Sequence, residues 1–393
     1  MKRHLALLAL FAGTLCATAA RADAVTDWNI KSGEVITEAR IGTPPAVRVM
    51  AIVQTAAHHA VQTASQRGSS VEAALAAAHR VVLATLLPAQ QPMIDAAYQR
   101  ALVAITDATP KFDGIADGEA AAQAVLTARA NDGAATPETY RPRTTAGIYV
   151  PTALPVVTQW PQRKPWLMRD AAQFRPAPPP ALVSDAWARD FNEVKAMGGR
   201  TSTRRSAEQT EVARFWDYSA PPIYHALVRS VALQPGRSLE RNARLFAAVA
   251  QSMDDALIAV FEAKYHHNFW RPITAIRNAD LDANDATERD AAWAPLIDVP
   301  MHPEYPSAHS ALASALGTVL AAEAGTAPLP VLTTSSPTAK GATRRYPSIA
   351  ALVQEVAEAR VWGGNHYRSA TDVGTQLGRQ VGELAVAWMR AAP

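Results

Sequence analysis

The chain of 393 residues has one cysteine, Cys16, and few aromatic (7%) or charged (19%) residues. Cys16 lies in a segment laid out like a secretory signal. Lys2 and Arg3 open it, an apolar run extends from Leu5 to Ala20, and Ala20-Arg21-Ala22 offers a small-x-small cleavage site. Leu15 is too bulky for the position before a lipoprotein cysteine. A chain cut after residue 22 contains no cysteine, which excludes disulfides, thiol catalysis and cysteine metal sites. The apolar run is short and interrupted, so it does not suit a retained anchor. No later stretch has eighteen consecutive apolar residues, and no integral membrane segment is expected after signal removal. No HExxH or similarly spaced zinc set occurs. An excess of one charge is also missing. The formal charge of +3 disappears with Lys2, Arg3 and Arg21, because Lys+Arg then falls from 38 to 35 and equals Asp+Glu at 35. The apparent basicity belongs to the export signal and gives no support for nucleic-acid binding. Export of this kind implies a bacterial periplasm or the cell exterior.

The full chain is 49% hydrophobic and rich in alanine, and its apolar residues recur at helical spacing. The pattern predicts helices over 45–65, 70–87, 90–106 and 115–130, broken at Gly68, Pro88 and Pro110. A proline-rich stretch at 136–181 reads as an extended wrapping segment, with Trp160, Trp166 and Phe174 to bury. Helices resume over 183–197, 204–217, 222–232, 239–264, 307–324, 347–361 and 370–390, with one short strand near 329–334. The fold class is all-α. The organisation is a signal at 1–22, an N-terminal helical region with its wrapping segment at 23–182, and a second helical region at 183–393, the last two being compatible with one continuous domain.

Two helices in the second region end an apolar stripe on a cation. Phe246, Val249, Met253, Leu257 and Val260 form one face, and the next position on it is Lys264. Ile349, Leu352, Val353 and Val356 form another, followed by Arg360. Arg271 stands seven residues beyond Lys264. Buried cations need a negative partner, and no acidic cluster in the sequence supplies an obvious one, so an external oxyanion is expected. A third element, His302-Pro303-Glu304-Tyr305-Pro306-Ser307-Ala308-His309, opens the 307–324 helix with Ser307 as its N-cap. Free amides at such a helix start attract anions, and His309 sits in the first turn.

Together these segments resemble the superfamily of vanadium-dependent haloperoxidases and type 2 phosphatidic acid phosphatases. The carriers are Lys264-x6-Arg271-Pro272, Pro306-Ser307-Ala308-His309 and Arg360-x5-His366, in that order. The resemblance implies that Lys264, Arg271 and Arg360 bind the equatorial oxygens of vanadate, or of the near-isosteric phosphate, with Ser307 and the Ala308 N–H. His366 would be the vanadium ligand, or the nucleophile toward phosphorus, and His309 the acid–base group. The implied activity is oxidation of a halide, bromide foremost, by hydrogen peroxide, with Lys264 polarising the oxidant and no haem, flavin or zinc. The alternative is an exported acid phosphatase acting on phosphate esters through a phosphohistidine. Homo-oligomers remain open.

The sequence departs from the pattern in two places. Ala308 replaces the family glycine, which adds a methyl to the site wall. The aspartate that phosphatases carry four residues after the third-motif histidine is Ala370, which favours the peroxidase reading. Asp217 is a candidate for the supporting carboxylate, and His302 for a supporting residue beside the cofactor. Of His266 and His267, one is expected to line the pocket and the other to be structural. Gly374, Gly378 and Gly382 mark a groove for close helix contact.

Overall fold

The computed structural model describes residues 23–391, so the signal segment and Cys16 lie outside the described residues. Thirteen α-helices account for most of it. The N-terminal region contains α1 (Ala24–Glu38), α2 (Thr43–Arg67), α3 (Val71–Leu86), α4 (Gln91–Val103) and α5 (Ala108–Arg129). Helix α1 lies before the first predicted helix; Asp23 caps it, accepting from the Thr26 N–H at 2.7 Å. Pro110 does not break α5 but lies in its first turn, where no amide donor is required. The second region has α6 (Asp185–Gly198), α7 (Ala207–Phe215), α8 (Pro221–Ala232), α9 (Leu239–His267), α10 (Pro272–Arg277), α11 (Ala308–Ala324), α12 (Ile349–Trp362) and α13 (Arg368–Ala391). Instead of one strand there is an antiparallel hairpin, β1 (Leu332–Ser336) with β2 (Ala342–Tyr346), in register Leu332 to Tyr346. Among the described residues no helix is long and apolar enough to cross a membrane.

The central helix is α9. Its predicted stripe, Phe246, Val249, Met253, Leu257 and Val260, is buried, within a cluster that also takes in Val47, Val61 and Leu75 of the N-terminal helices. Burying such aliphatic and aromatic side chains contributes about 1.5–3 kcal/mol each. Helix α13 lies against α11 at the glycine row. A Cβ at Gly374 would collide with the Ser307 carbonyl, and one at Gly378 with that of Ala311. The glycines therefore seat α13 directly behind the start of α11.

The proline-rich stretch is extended and wraps the bundle. Three consecutive backbone amides, Trp166, Leu167 and Met168, donate to Asp255 in the middle of α9, at 2.7, 2.7 and 3.0 Å. Beside it, Arg163 donates to both oxygens of Asp254 (2.6 and 3.0 Å) and to Asp132 (2.8 Å), which also accepts from Arg48 of α2. Further along, Ile148 pairs with Phe269 in an isolated bridge just past the end of α9.

Candidate active site

Each of the three motifs is a way of ending or starting a helix. Lys264 lies in the last turn of α9, whose C-cap is Asn268 in the left-handed conformation (φ 50°), its N–H returning to the Lys264 carbonyl at 2.8 Å. The chain then turns, and Arg271 becomes the N-cap residue of α10. The spacing of the first motif is thus the length of that turn. Arg360 lies in the last turn of α12, and its own carbonyl accepts the N–H groups of Asn365 (3.1 Å) and His366 (3.3 Å). The five-residue spacer of the third motif is the loop that this closure makes. Gly364 makes the turn at φ 79°, pressed against the Gly198 carbonyl and Pro295 where a side chain would collide. Ser307 is the N-cap of α11, and its Oγ accepts from the Ser310 N–H (3.4 Å) and hydroxyl (3.0 Å).

The three cations converge and are buried: Lys264 is 0%, and Arg271 and Arg360 each 1%, exposed. Lys264 Nζ donates to the carbonyls of Pro303 (2.9 Å) and Glu304 (2.7 Å), which leaves one of its three N–H groups free. Arg271 donates to the carbonyls of His302 (3.0 Å) and Asn365 (2.8 Å), and its Nη2 lies 3.0 Å from His302 Nδ1. Arg360 Nη1 donates to the Trp216 carbonyl at 3.0 Å, while its buried Nε has no partner. None of the three forms an ion pair with a carboxylate at contact distance among the described residues. Burial and the Arg271 charge hold Lys264 well below its ordinary range, and burial lowers Arg271 to about 10. The charges of Glu304 on Lys264 and Arg271, and of Asp217 on Arg360, act only from beyond contact distance.

His366 sits against a fully buried acid, Glu304. Its Nδ1 is 2.7 Å from Glu304 Oε1, which also accepts the Tyr367 backbone N–H at 3.0 Å. An oxygen that accepts from an amide takes its second hydrogen bond from Nδ1–H, so the proton of the neutral ring lies on Nδ1. Nε2 then carries a lone pair, and Arg271 Nη1 donates toward it at 3.3 Å. Burial and the surrounding cations hold His366 well below the usual histidine range. Burial pushes Glu304 up to about 8, against the pull of Lys264 and Arg271. Sequence reading missed Glu304. The signal was present as a lone acid between His302 and Ser307, but a supporting carboxylate was expected for His309, with Asp217 as the candidate, and none for His366.

His309, in the first turn of α11, has a buried Nε2 without a partner, and burial together with the nearby arginine and lysine charges keeps its ring neutral. It lines a cavity of about 500 Å³ together with Ala308, Arg360, His366, His302 and Asp217. The Ala308 methyl therefore forms part of the cavity wall. No hydrogen bond joins Asp217 to His309 among the described residues; Asp217, an exposed residue, stands at the rim of the cavity, where partial desolvation raises its carboxyl above the ordinary range against the pull of the Arg360 charge. His302 packs edge-on against Phe261 at 4.9 Å. Neither His266 nor His267 lines this cavity, which corrects the expectation for that pair. At two and three residues beyond Lys264 the helix has turned them to other faces. His266 is exposed, and His267 lies 3.1 Å from the Pro176 carbonyl. Among the described residues no group of three or more His, Cys, Asp or Glu could hold a metal ion by itself.

Residues 244–392 match the family model described as the VCPO second helical-bundle domain. A first bacterial vanadium-dependent iodoperoxidase superimposes over 93% of this chain and 95% of its own, at a TM-score of 0.78 and 22% identity. The chain has the vanadium-haloperoxidase fold. A holo-type bacterial vanadium-dependent chloroperoxidase covers 89% of the chain and 93% of its own at a TM-score of 0.70 and 18% identity. Vanadium chloroperoxidase of Curvularia inaequalis is 31% identical over 174 residues, 36% of this chain, and the match spans 28% of that protein's length. The all-α reading holds, and the resemblance drawn from three short motifs holds on its vanadium-haloperoxidase side. In this haloperoxidase fold Lys264, Arg271, Ser307, His309, Arg360 and His366 come together at one end of the bundle.

Proposed function

We propose that the protein is an exported haloperoxidase-type enzyme that binds vanadate and oxidises halide with hydrogen peroxide. The observation that carries this reading is the set of three buried cations without a carboxylate counter-ion, beside a neutral imidazole presenting a lone pair. The residues fit the oxyanion. Arg360 Nε and His309 Nε2 are buried without partners, Lys264 keeps an unused donor, and the start of α11 offers free amides. Lys264, Arg271, Arg360, Ser307 and the Ala308 N–H would hold the oxygens, and His366 Nε2 would be the ligand. Bound vanadate supplies a Lewis acid that activates hydrogen peroxide for two-electron oxidation of the halide.

The chain's own groups do the rest. Glu304 fixes the His366 tautomer and aims its lone pair into the site. The three cations stabilise negative charge in a place where water is largely excluded, so their effect is strong. His309, neutral and free at Nε2, takes up or returns a proton at the cavity floor. His302 directly before Pro303-Glu304-Tyr305-Pro306-Ser307, an arrangement that resembles bromoperoxidases, supports bromide as the halide, and the signal-like segment supports a periplasmic or secreted location.

The test is to assay one preparation two ways. Protein incubated with orthovanadate is expected to oxidise iodide and bromide with peroxide, and oxidation should follow vanadate occupancy. Absence of halide oxidation, together with vanadate-inhibited hydrolysis of a chromogenic phosphate ester by the vanadate-free protein, would replace this reading with an acid phosphatase.

A further inference from the structure

Another cation stands without a carboxylate partner, outside the candidate active site. Arg229 lies in the last turn of α8 and is partly buried. Its Nη1 donates to Asn29 Oδ1 of α1 at 2.9 Å. The same amide donates from Nδ2 to His225 Nδ1 at 2.8 Å, and the His225 ring stacks on Phe246. Asn29 and His225 are both buried, so a fixed inner layer holds the guanidinium in place. Its Nε and Nη2 make no hydrogen bond, and no carboxylate pairs with it, among the described residues. Burial lowers it to about 10, so it stays charged at neutral pH. A partly desolvated cation held open in this way favours an anionic group from outside.

Arg229 opens into a groove of about 400 Å³ between α1, α4 and α8, which shares no residue with the active-site cavity. Ile30, Met93 and Pro222 give it apolar lining, and Ile30 is 39% exposed there. Two acids also line it, Glu34 and Glu38. With Ile30 they follow at four-residue steps and form one ridge of α1, beside the ridge of Asn29 and Gly33 that meets α8. Lys31 pairs with Glu34, while Glu38 has no ion-pair partner among the described residues. From Asn29, where Arg229 is anchored, to Glu38 the helix rises about 13 Å.

We infer that this groove binds a small ω-amino acid, its carboxylate on Arg229, its ammonium at Glu38, and its methylene chain along Ile30, Met93 and Pro222. The local charges decide the class. Arg229 and Glu38 sum to zero, as Lys31 and Glu34 do, so a zwitterion leaves the groove balanced. A simple anion or cation would leave one protein charge unmatched. The separation of the charges decides the shape. An α-amino acid carries both its charges on one carbon and cannot reach from Arg229 to Glu38, whereas a ligand charged at the two ends of a short chain can. The carbonyl end of α1 adds its negative dipole to the pull of Glu38 on the ammonium. A free ω-amino acid and the C-terminal lysine of a peptide offer the same chemistry. The site is independent of the haloperoxidase reading.

The probe is 6-aminohexanoate, titrated calorimetrically into the full processed chain without vanadate. Saturable one-to-one binding is expected. It should weaken about tenfold or more in Arg229→Gln, the loss of one charged hydrogen bond, and about two- to fivefold in Glu38→Gln, the loss of an exposed ion pair. Arg229→Gln keeps an N–H for Asn29, and Glu38 is exposed, so both variants should retain the parent's circular dichroism and melting. Hexanoate and hexylamine, each with one of the two charges, and L-norleucine, with both on one carbon, should all bind more weakly than the probe. Nα-acetyl-L-lysine separates the two sources: binding as tight as the probe's assigns the groove to a peptide C-terminus, and weaker binding assigns it to a free ω-amino acid. No saturable binding of 6-aminohexanoate, equal binding by Arg229→Gln, or hexanoate binding as tightly as the probe overturns the inference.

Discussion

Helix α9 carries two buried charge clusters, and they are finished differently. At its middle, Asp254 meets Arg163, which also meets Asp132, which meets Arg48. Acids and bases alternate there and the charges cancel within the protein. Ten residues later, Lys264 joins Arg271 and Arg360 with no carboxylate in contact among the described residues; the buried acid beside them, Glu304, is engaged by His366 and the Tyr367 amide, and Asp217 acts on Arg360 only from a distance. The first cluster clamps the proline-rich segment to the bundle. The second is incomplete without an anion from outside. Burial alone therefore does not mark a functional charge; the missing counter-charge does.

Breaking the closed cluster should cost the most. Asp254→Ala leaves Arg163 short of its main partner in a site that is 0% exposed, and a loss of about 3–5 kcal/mol is expected on denaturant unfolding. A loss below 1 kcal/mol would show that the clamp is dispensable. Arg360→Ala should behave in the opposite way. The vanadate-free chain should melt at or above the parent temperature, because an uncompensated buried cation is gone. Orthovanadate, which should stabilise the parent by about 2.7 kcal/mol at a hundredfold excess over Kd, should bind the variant at least tenfold more weakly, since a charged hydrogen bond contributes about 1.5–3 kcal/mol. Glu304→Ala sharpens the contrast further. Without its acceptor the His366 ring loses its fixed tautomer, and vanadate affinity measured by calorimetry should fall about 10–100-fold, whereas Glu304→Gln, which keeps an acceptor oxygen, should restore much of it.

The smallest expected effect is a pH dependence arising away from both clusters. His79, lowered to about 4 by burial, and His225, lowered to about 3, stay neutral in the fold. Once unfolded they bind protons near their ordinary value of 6.5. Their contribution is complete above that value and declines as the pH falls toward 4, so the melting temperature should drop between about pH 7 and pH 5. His79→Phe should flatten that slope. An unchanged slope would assign the acid sensitivity to other groups.

Much of the fold was legible because it depends on local spacing. The stripe on α9 pointed inward as expected, and Lys264 and Arg360 ended their stripes inside, as the period of 3.6 requires. The glycine row of α13 made the predicted close contact. Elements governed by caps were read less well. Helix α1, absent from the predicted set, starts at its Asp23 cap, and the hairpin at 332–346 depends on pairing across a turn. The three motifs were legible as an ordered set, whereas the carboxylate partner of His366 was not. Its identity depends on which loop folds back over α9, and Glu304 reaches His366 from 62 residues away in sequence.

By itself, the sequence determined the helical class, the inward direction of two cations, the anion-ready start of α11 and the residues of the motifs, all consequences of helix periodicity and capping. Tertiary structure decided the rest. It paired Glu304 with His366, turned His266 and His267 away, left Asp217 on a rim, and roofed the cations with Val157 and the start of α2. Each of these is a meeting of segments distant along the chain, fixed by packing and by the need to satisfy buried polar groups.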